Sequence, residues 1–411
     1  MWGMDGTFVC CGSDRERNYC NMKIKRFLTI MLSAAMMTLA VGCGEEKAPE
    51  EPPVTFDVDT VTAETTEEET TEPETTETET ETETETETET ETEPESTEPE
   101  FINPLTGLEA DKDLATRRPA AIMINNIKIA TPQEGVSCAD VMYECIVEGW
   151  QTRLMMLSME YEDLPVVGSV RSSREYYLDF AANHDAIYIH AGGSQTAYAQ
   201  IKSRKVDHLD GVNGPSPKGT FYRDETRWKK MGMEHSLMTT GEGIASGIEA
   251  IKCRTTLKDG FESPLNFVEY GTTRVPSTGD ATFLKVKFSG QHQPYFEYNE
   301  DEHVYYRWQF LGDKHMDNTA NKQLSFTNVI VMYLPTVSTK DDYNHMDVTT
   351  TGKGEGYYLT EGKYEKITWQ KDGKDIPVKL YNEAGEELTI NRGKTFFEIC
   401  TTAMKDTTEI K

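Results

Sequence analysis

Between residues 119 and 250, apolar runs alternate with amphipathic ones. Residues 120–124 form an unbroken apolar run that ends at Asn125-Asn126, the pattern of a buried strand. Runs 141–147 and 154–159 flank Glu148-Gly149-Trp150 and predict a hairpin whose polar positions include Glu144, Glu148 and Arg153. A strand over 166–170, a helix over 173–183, a strand over 186–190 and a helix over 195–202 follow. Strand alternating with helix implies crossovers into a parallel or mixed sheet. A helix over 244–251 closes this half.

From residue 282 onward the helical period fades. Short β-branched and aromatic runs at 282–289, 295–298, 303–310, 328–333, 356–359, 365–370, 378–381 and 395–399 are separated by turn material such as Asp372-Gly373 and Glu383-Ala384-Gly385. The pattern predicts an α+β or α/β domain with a mixed sheet over 101–270, then an all-β domain, a meander, over 271–411. The boundary falls in the Gly- and Pro-containing stretch 271–279.

Ahead of the folded part the grammar changes. Met22 opens a charged stretch with Lys23, Lys25 and Arg26, followed by an apolar run over 27–41 and then Gly42-Cys43. This order is that of an export signal, and the run is shorter than the ~20 residues a spanning helix needs. Its end resembles a bacterial lipobox, which makes Cys43 the lipidation site and membrane lipid a partner. Residues 1–21 fit no part of this and read as a start assigned too early. Residues 44–100 hold 24 Asp or Glu against one Lys, with strict Thr-Glu alternation over 76–92. Neither face of such a segment has apolar surface to bury, so it predicts a disordered, self-repelling tether.

The net charge of −30 is therefore uneven: the tether carries −23, the first 43 residues +2 and the remainder −9. No Lys/Arg field suited to phosphate neutralisation is present, which excludes a basic nucleic-acid binder. Cys138, Cys145, Cys253 and Cys400 form no CxxC pair, and the sequence does not settle their disulfide state. Neither a Walker loop nor GxGxxG occurs, and no cofactor is implied. Asp341, Asp342, His345 and Asp347, or His315 with Asp317, lack metal-site spacing and read as solvated turns, so no metal is expected. Tyr305, Tyr306, Trp308 and Phe310 alternate along one strand, and half of them must be core.

The informative chemistry lies in two strand-to-helix turns, Gly168-Ser169-Val170-Arg171-Ser172-Ser173-Arg174-Glu175 and His190-Ala191-Gly192-Gly193-Ser194. Helix starts present free N–H groups, and Gly192-Gly193 allows close backbone approach. Arg171 and Arg174 add forked donors suited to carboxylate or phosphate. The expected ligand site comprises Arg171, Ser172, Ser173, Arg174, His190, Gly192, Gly193 and Ser194, with Asn125 and Asn126 at the end of the preceding strand. It requires the two turns to be neighbours. Against it stand a Ser172–Glu175 capping box, Ser194 as a plain N-cap and pairing of Arg171 with Glu144 or Glu148. His190 and Ser194 are weak catalytic candidates, and no catalytic residue is assigned.

Several stretches resemble a known family: Arg118-Pro119-Ala120-Ala121-Ile122-Met123-Ile124-Asn125-Asn126, Ala139-Asp140-Val141-Met142-Tyr143-Glu144, the two turns, Asn328-Val329-Ile330-Val331, Gly354-Glu355-Gly356-Tyr357-Tyr358 and Asn391-Arg392-Gly393-Lys394-Thr395. Together they follow the pattern of the YerB-like lipoproteins of Gram-positive bacteria across nearly all of residues 101–411. The resemblance implies a two-domain extracytoplasmic lipoprotein with domains of unknown function and no established activity. Asn125, where the family usually has Asp, and Glu234-His235-Ser236, where Pro-His-Asn is usual, depart from it. The resulting expectation is a membrane-anchored cell-surface protein, not an enzyme, that binds a peptidoglycan carboxylate or wall-polymer phosphate at the turns. Alternatives are an envelope hydrolase using His190 or Ser194, and a docking module for a membrane-protein partner.

Overall fold

The unbroken apolar runs become the inner strands of one large mixed sheet. The computed structural model describes residues 98–411; the signal segment, Cys43 and the tether up to residue 97 lie outside the described residues. Strands β1 (Ala120–Asn125), β2 (Val141–Ile146) and β3 (Thr152–Ser158) are buried at every position. They lack alternation because both faces of the sheet are covered. β2 and β3 form the expected hairpin, pairing Val141 with Leu157 and Ile146 with Thr152. β1 pairs antiparallel with β3, and β4 (Ile187–His190) and β5 (His208–Asp210) continue parallel to β1.

The second half of the chain enters the same sheet. β6 (Asn328–Leu334), β7 (Gly352–Thr360) and β8 (Lys363–Lys371) form an antiparallel meander. β9 (Thr395–Thr401) does not extend it: the strand inserts between β6 and β2, parallel to both. The order is Gly279–Asp280, β8, β7, β6, β9, β2, β3, β1, β4, β5, with Lys379–Tyr381 also beside β8, eleven strands in all. All seven residues of β9 are buried, so it needs cover on both faces and a neighbour on both edges. The segments on either side of residue 270 thus share a sheet.

A second, antiparallel sheet containing Phe283–Lys285, Tyr295–Asn299 and Val304–Gln309 lies over one face. Phe296 and Phe326 meet the ring of Phe396 edge-on at 5.1 and 5.0 Å. On the other face Tyr143 stacks between Phe180, of helix α1 (Glu175–Ala182), and Phe397 at 5.2 and 4.4 Å. Each fully buried ring contributes roughly 1.5–3 kcal/mol. Alternation along Val304–Gln309 buries Tyr305, Arg307 and Gln309 and leaves Tyr306 and Trp308 partly exposed, so the aromatic run is half core, as its period requires.

Three local expectations are corrected. Val167–Gly168 does not join the main sheet but pairs with Leu237–Thr239, which in turn pairs with Phe221–Arg223. Gly168 has φ +151°, a backbone that glycine adopts readily, and the chain turns there across the end of β1. Helix α1 begins at Glu175 rather than 173, because Arg174 is its N-cap with no side-chain cap bond. The folded unit begins earlier than residue 101, since Glu98 accepts from Tyr270 N at 2.7 Å and pairs with Arg392. Helix α2 (Gln195–Arg204) follows its Ser194 cap; α3 (Glu225–Met231) and α4 (Gly241–Ile251) complete this half. The four described cysteines are free thiols.

Candidate functional site

The two turns lie side by side at the carboxyl ends of β1 and β4. Arg171 N donates to Met123 O (2.9 Å), Ala191 N to Arg171 O (2.9 Å), Ser173 N to Gly192 O (2.9 Å) and Ser194 N to Ser173 O (3.3 Å). The close approach explains the glycines: Gly192 has φ +76°, and a Cβ on Gly193 would sit 3.3 Å from Ser173 Cβ. Ser194 Oγ caps α2 through Ala197 N at 3.1 Å. Glu175 closes no box with Ser172; its carboxylate accepts from Thr196 Oγ1 (2.7 Å) and Ser194 Oγ (3.3 Å), tying the start of α1 to the start of α2.

The charges of the turns are satisfied from within, which corrects the expectation of free forked cations and open amides. Arg174 Nε and Nη2 grip Glu148 Oε2 and Oε1 at 2.9 and 2.6 Å. Arg153 donates to the same carboxylate and to Ser172 O at 2.7 Å. Burial works to raise Glu148, but Arg153 and Arg174 outweigh it and hold the carboxyl down at about 2. Arg171 pairs with neither Glu144 nor Glu148 but with Glu234, at 3.1 Å to its carbonyl and 3.0 Å to its carboxylate. Gly192 N donates to Asp210 Oδ1 at 2.7 Å. A buried guanidinium left without a counter-ion would be strongly destabilising, so the protein supplies the anions itself.

His190 is fully buried. Its Nδ1 lies 2.8 Å from Gly192 O, and therefore carries the proton, while Nε2 lies 3.0 Å from His208 Nδ1. Burial lowers its pKa to about 4. Among the described residues the hydroxyl of Ser194 has Ala197, Thr196 and Glu175 as partners and no histidine. The consecutive asparagines part company. Asn125 Nδ2 lies 2.9 Å from His235 Nδ1 and 3.3 Å from Ser169 Oγ, beside the first turn. Asn126 Nδ2 instead donates to Glu144 Oε1 and Thr152 Oγ1, both at 2.8 Å.

Ser172 and Arg174 of the first turn, and Gly193 and Ser194 of the second, face the loop around residues 339–346 across a cleft of about 590 Å³. That loop brings in Asp341, Asp342 and His345, whose spacing predicts a solvated turn, together with Tyr343. Asp341 Oδ2 holds His345 Nδ1 at 2.7 Å, and that bond with the His345 N–H keeps Asp341 at about 2. The Tyr343 side chain is 74% exposed. The other metal candidates diverge. His315 faces Arg307, whereas Asp317 accepts from Gly135 N (3.0 Å) and Ser137 N (2.8 Å).

Sequence reasoning missed a buried constellation on the sheet face beneath Arg307. Glu144 of β2 and Glu398 of β9 are directly opposite in register, and both are fully buried. Glu144 pairs with Arg307 Nη2 and accepts from Thr152 Oγ1 (2.5 Å), His292 Nε2 (2.6 Å) and Asn126. Burial opposes its ionisation, but Arg307 and His292 hold its pKa low. Burial and the neighbouring Glu144 push Glu398 far up. A lone Glu inside each of two otherwise apolar runs was the available signal.

Residues 105–254 match the N-terminal domain, and residues 284–397 the C-terminal domain, of DUF3048, described as a protein of unknown function. A protein of Bacillus subtilis (strain 168) named "Putative lipoprotein YerB" is 27% identical over 311 residues, spanning 72% of this chain and 85% of that protein. The crystal structure of the YerB protein from Bacillus subtilis matches with a TM-score of 0.65 at 23% identity, over 76% of this chain and 99% of that one. The likeness is one of fold. Among the described residues no helix is long and apolar enough to cross a membrane.

Proposed function

The chain belongs to the DUF3048 family, and from that membership we propose that it is a lipid-anchored extracytoplasmic binding protein whose ligand, an envelope component, sits between the paired turns and the 339–346 loop. The observation that carries this reading is the meeting of the turns, backbone to backbone, at the rim of a cleft of about 590 Å³ at the carboxyl ends of parallel strands. Export signal, lipobox Cys43 and the lipoprotein name of the Bacillus subtilis relative support the address. The acidic Thr/Glu-rich sequence between Cys43 and the described residues, read from its composition as a tether, fits the same address.

The lining charges favour a different ligand polarity from the one the sequence suggested. Glu175, Asp341 and Asp342 face one guanidinium, Arg174, which shares the Glu148 carboxylate with Arg153. Such a cleft suits an amine-bearing envelope fragment better than a phosphate or carboxylate. Calorimetric titration of the protein with soluble wall fragments carrying free amines, with the same fragments acetylated, and with wall-polymer phosphates tests this. Free-amine fragments should bind, acetylation should weaken them at least tenfold, and an Asp341→Asn, Asp342→Asn double variant should do the same. Binding of the phosphates alone, or of nothing, would overturn the proposal. A hydrolase built on His190 would first have to free a ring nitrogen from Gly192 or His208.

A further inference from the structure

A separate cleft of about 350 Å³ lies between the β2–β3 turn and the second sheet, with Trp150 and Phe310 among its walls and Asn126, Thr152 and His292 in its lining. We infer that it is a subsite for an uncharged sugar ring, in which the Trp150 indole is the stacking platform and the polar side chains read the ring hydroxyls. It does not depend on the cleft between the turns.

Trp150 is the first observation. It holds φ +62°, after Gly149 at φ +64°, yet its side chain is 56% exposed. A bulky residue rarely adopts this backbone, and a turn needing only that geometry would carry Gly or Asn. The indole is thus presented at the rim at a conformational cost. Phe310, also in the lining, is edge-on to the His292 ring at 5.0 Å.

The polar lining is the second observation. Asn126, Thr152 and His292 are buried and all bonded to one oxygen, Glu144 Oε1, at 2.8, 2.5 and 2.6 Å. Arg307 in turn holds that carboxylate. A single buried ion therefore fixes the orientation of three lining side chains, the supporting shell that a precise site requires. Because the carboxylate can only accept, His292 Nε2 carries a proton. The other ring nitrogen, Nδ1, is buried and has no hydrogen-bond partner, an unpaired polar atom at which a ligand hydroxyl, able to donate or to accept, would be rewarded.

The remaining chemistry selects the ligand class. Gln151, Ser289 and Gln291 add amides and a hydroxyl, and no carboxylate lines the cleft. Its one cation, Lys128, is already paired with Asp313 at 3.1 Å. Aromatic walls with amide, hydroxyl and imidazole groups suit a ring with apolar C–H faces and a hydroxyl edge, and disfavour the amine-bearing ligand proposed for the first cleft.

The test uses the whole chain, titrated with tetramers of N-acetylglucosamine and of glucose, followed by tryptophan emission and calorimetry. At least one tetramer should bind saturably. Trp150→Gly, which relieves the backbone and removes the ring, should weaken it at least tenfold without lowering the melting temperature, whereas Trp150→Phe should stay within about threefold of wild type. Absence of saturable binding at about 10 mM, or equal affinity in Trp150→Gly, overturns the inference. So does binding that is abolished by Tyr343→Ala and untouched by Trp150→Gly, which would move the sugar to the other cleft.

Discussion

At the position of Glu398 the protein buries a carboxyl group with no hydrogen-bond donor aimed at either oxygen. Glu144 stands across from it and takes up Arg307, His292, Thr152 and Asn126. Two buried carboxylates beside one guanidinium do not both ionise, so Glu398 keeps its proton and shares it with Glu144. Its folded pKa lies above the unfolded value, near 4.5. The stabilisation is therefore fully present below about pH 4.5 and is lost as pH rises toward the folded pKa, because the unfolded chain releases the proton first. Glu398→Gln keeps a donor to Glu144 without the proton. Urea unfolding from pH 5 to 9 should show the variant gaining on wild type as pH rises, and parallel curves would refute the shared proton. Arg307→Leu strands the Glu144 carboxylate and should cost about 3–5 kcal/mol at pH 7 by the same measurement.

Between elements, the turn of one hairpin fastens another. Glu148, from the β2–β3 turn, is gripped by Arg153 and Arg174, and Arg153 also reaches Ser172 O, so the first helix-start turn is locked before any ligand arrives. Burial of Glu148 opposes ionisation and the two arginines outweigh it, bringing the pKa to about 2 against an ordinary 4.5. This stabilisation is present above about pH 4.5 and is lost as pH falls toward 2. Glu148→Gln should cost about 3 kcal/mol at pH 7, flatten the acid limb of the stability curve and speed amide exchange at Ser173 and Ser194. An unchanged acid limb would place that limb on other carboxylates. That the turns meet was legible, because each follows a strand and carries the glycine or serine that a tight helix start needs. Their counter-ions were not: Arg174 finds Glu148 26 residues away, Arg171 finds Glu234 63 away and Gly192 finds Asp210 18 away. Such pairings are set by tertiary neighbours, which no local pattern encodes. Nor did period or spacing reveal that the acidic 341–345 loop would face the turns.

For the whole molecule the decisive feature is β9. Its run Thr-Phe-Phe-Glu-Ile-Cys-Thr announces a strand buried on both faces, but nothing local says that its neighbours are β6 on one side and β2 on the other. Once inserted, it joins the two sequence halves through hydrogen bonds on both edges, stacks Phe397 on Tyr143 and packs Phe396 beneath Phe296 and Phe326. Residues 101–270 alone would expose the edge of β2, strip Tyr143 of one stacking partner and leave Glu144 without Arg307 or His292. A buried charge without a partner and an open central strand edge are each enough to prevent a unique fold. The segment expressed alone should therefore aggregate or show no cooperative melt. A chain ending at residue 394 should fail in both halves at once, while residues 98–411 should unfold in one transition, with fluorescence of Trp150 and of Trp369 lost together in single-tryptophan variants. Two separated midpoints, or a dispersed, cooperatively melting 101–270 fragment, would show instead that the halves are autonomous and that β9 only docks them. The insertion of β9 makes the single transition the expected result, because the strand that covers the β2 edge of the first half is supplied by the second.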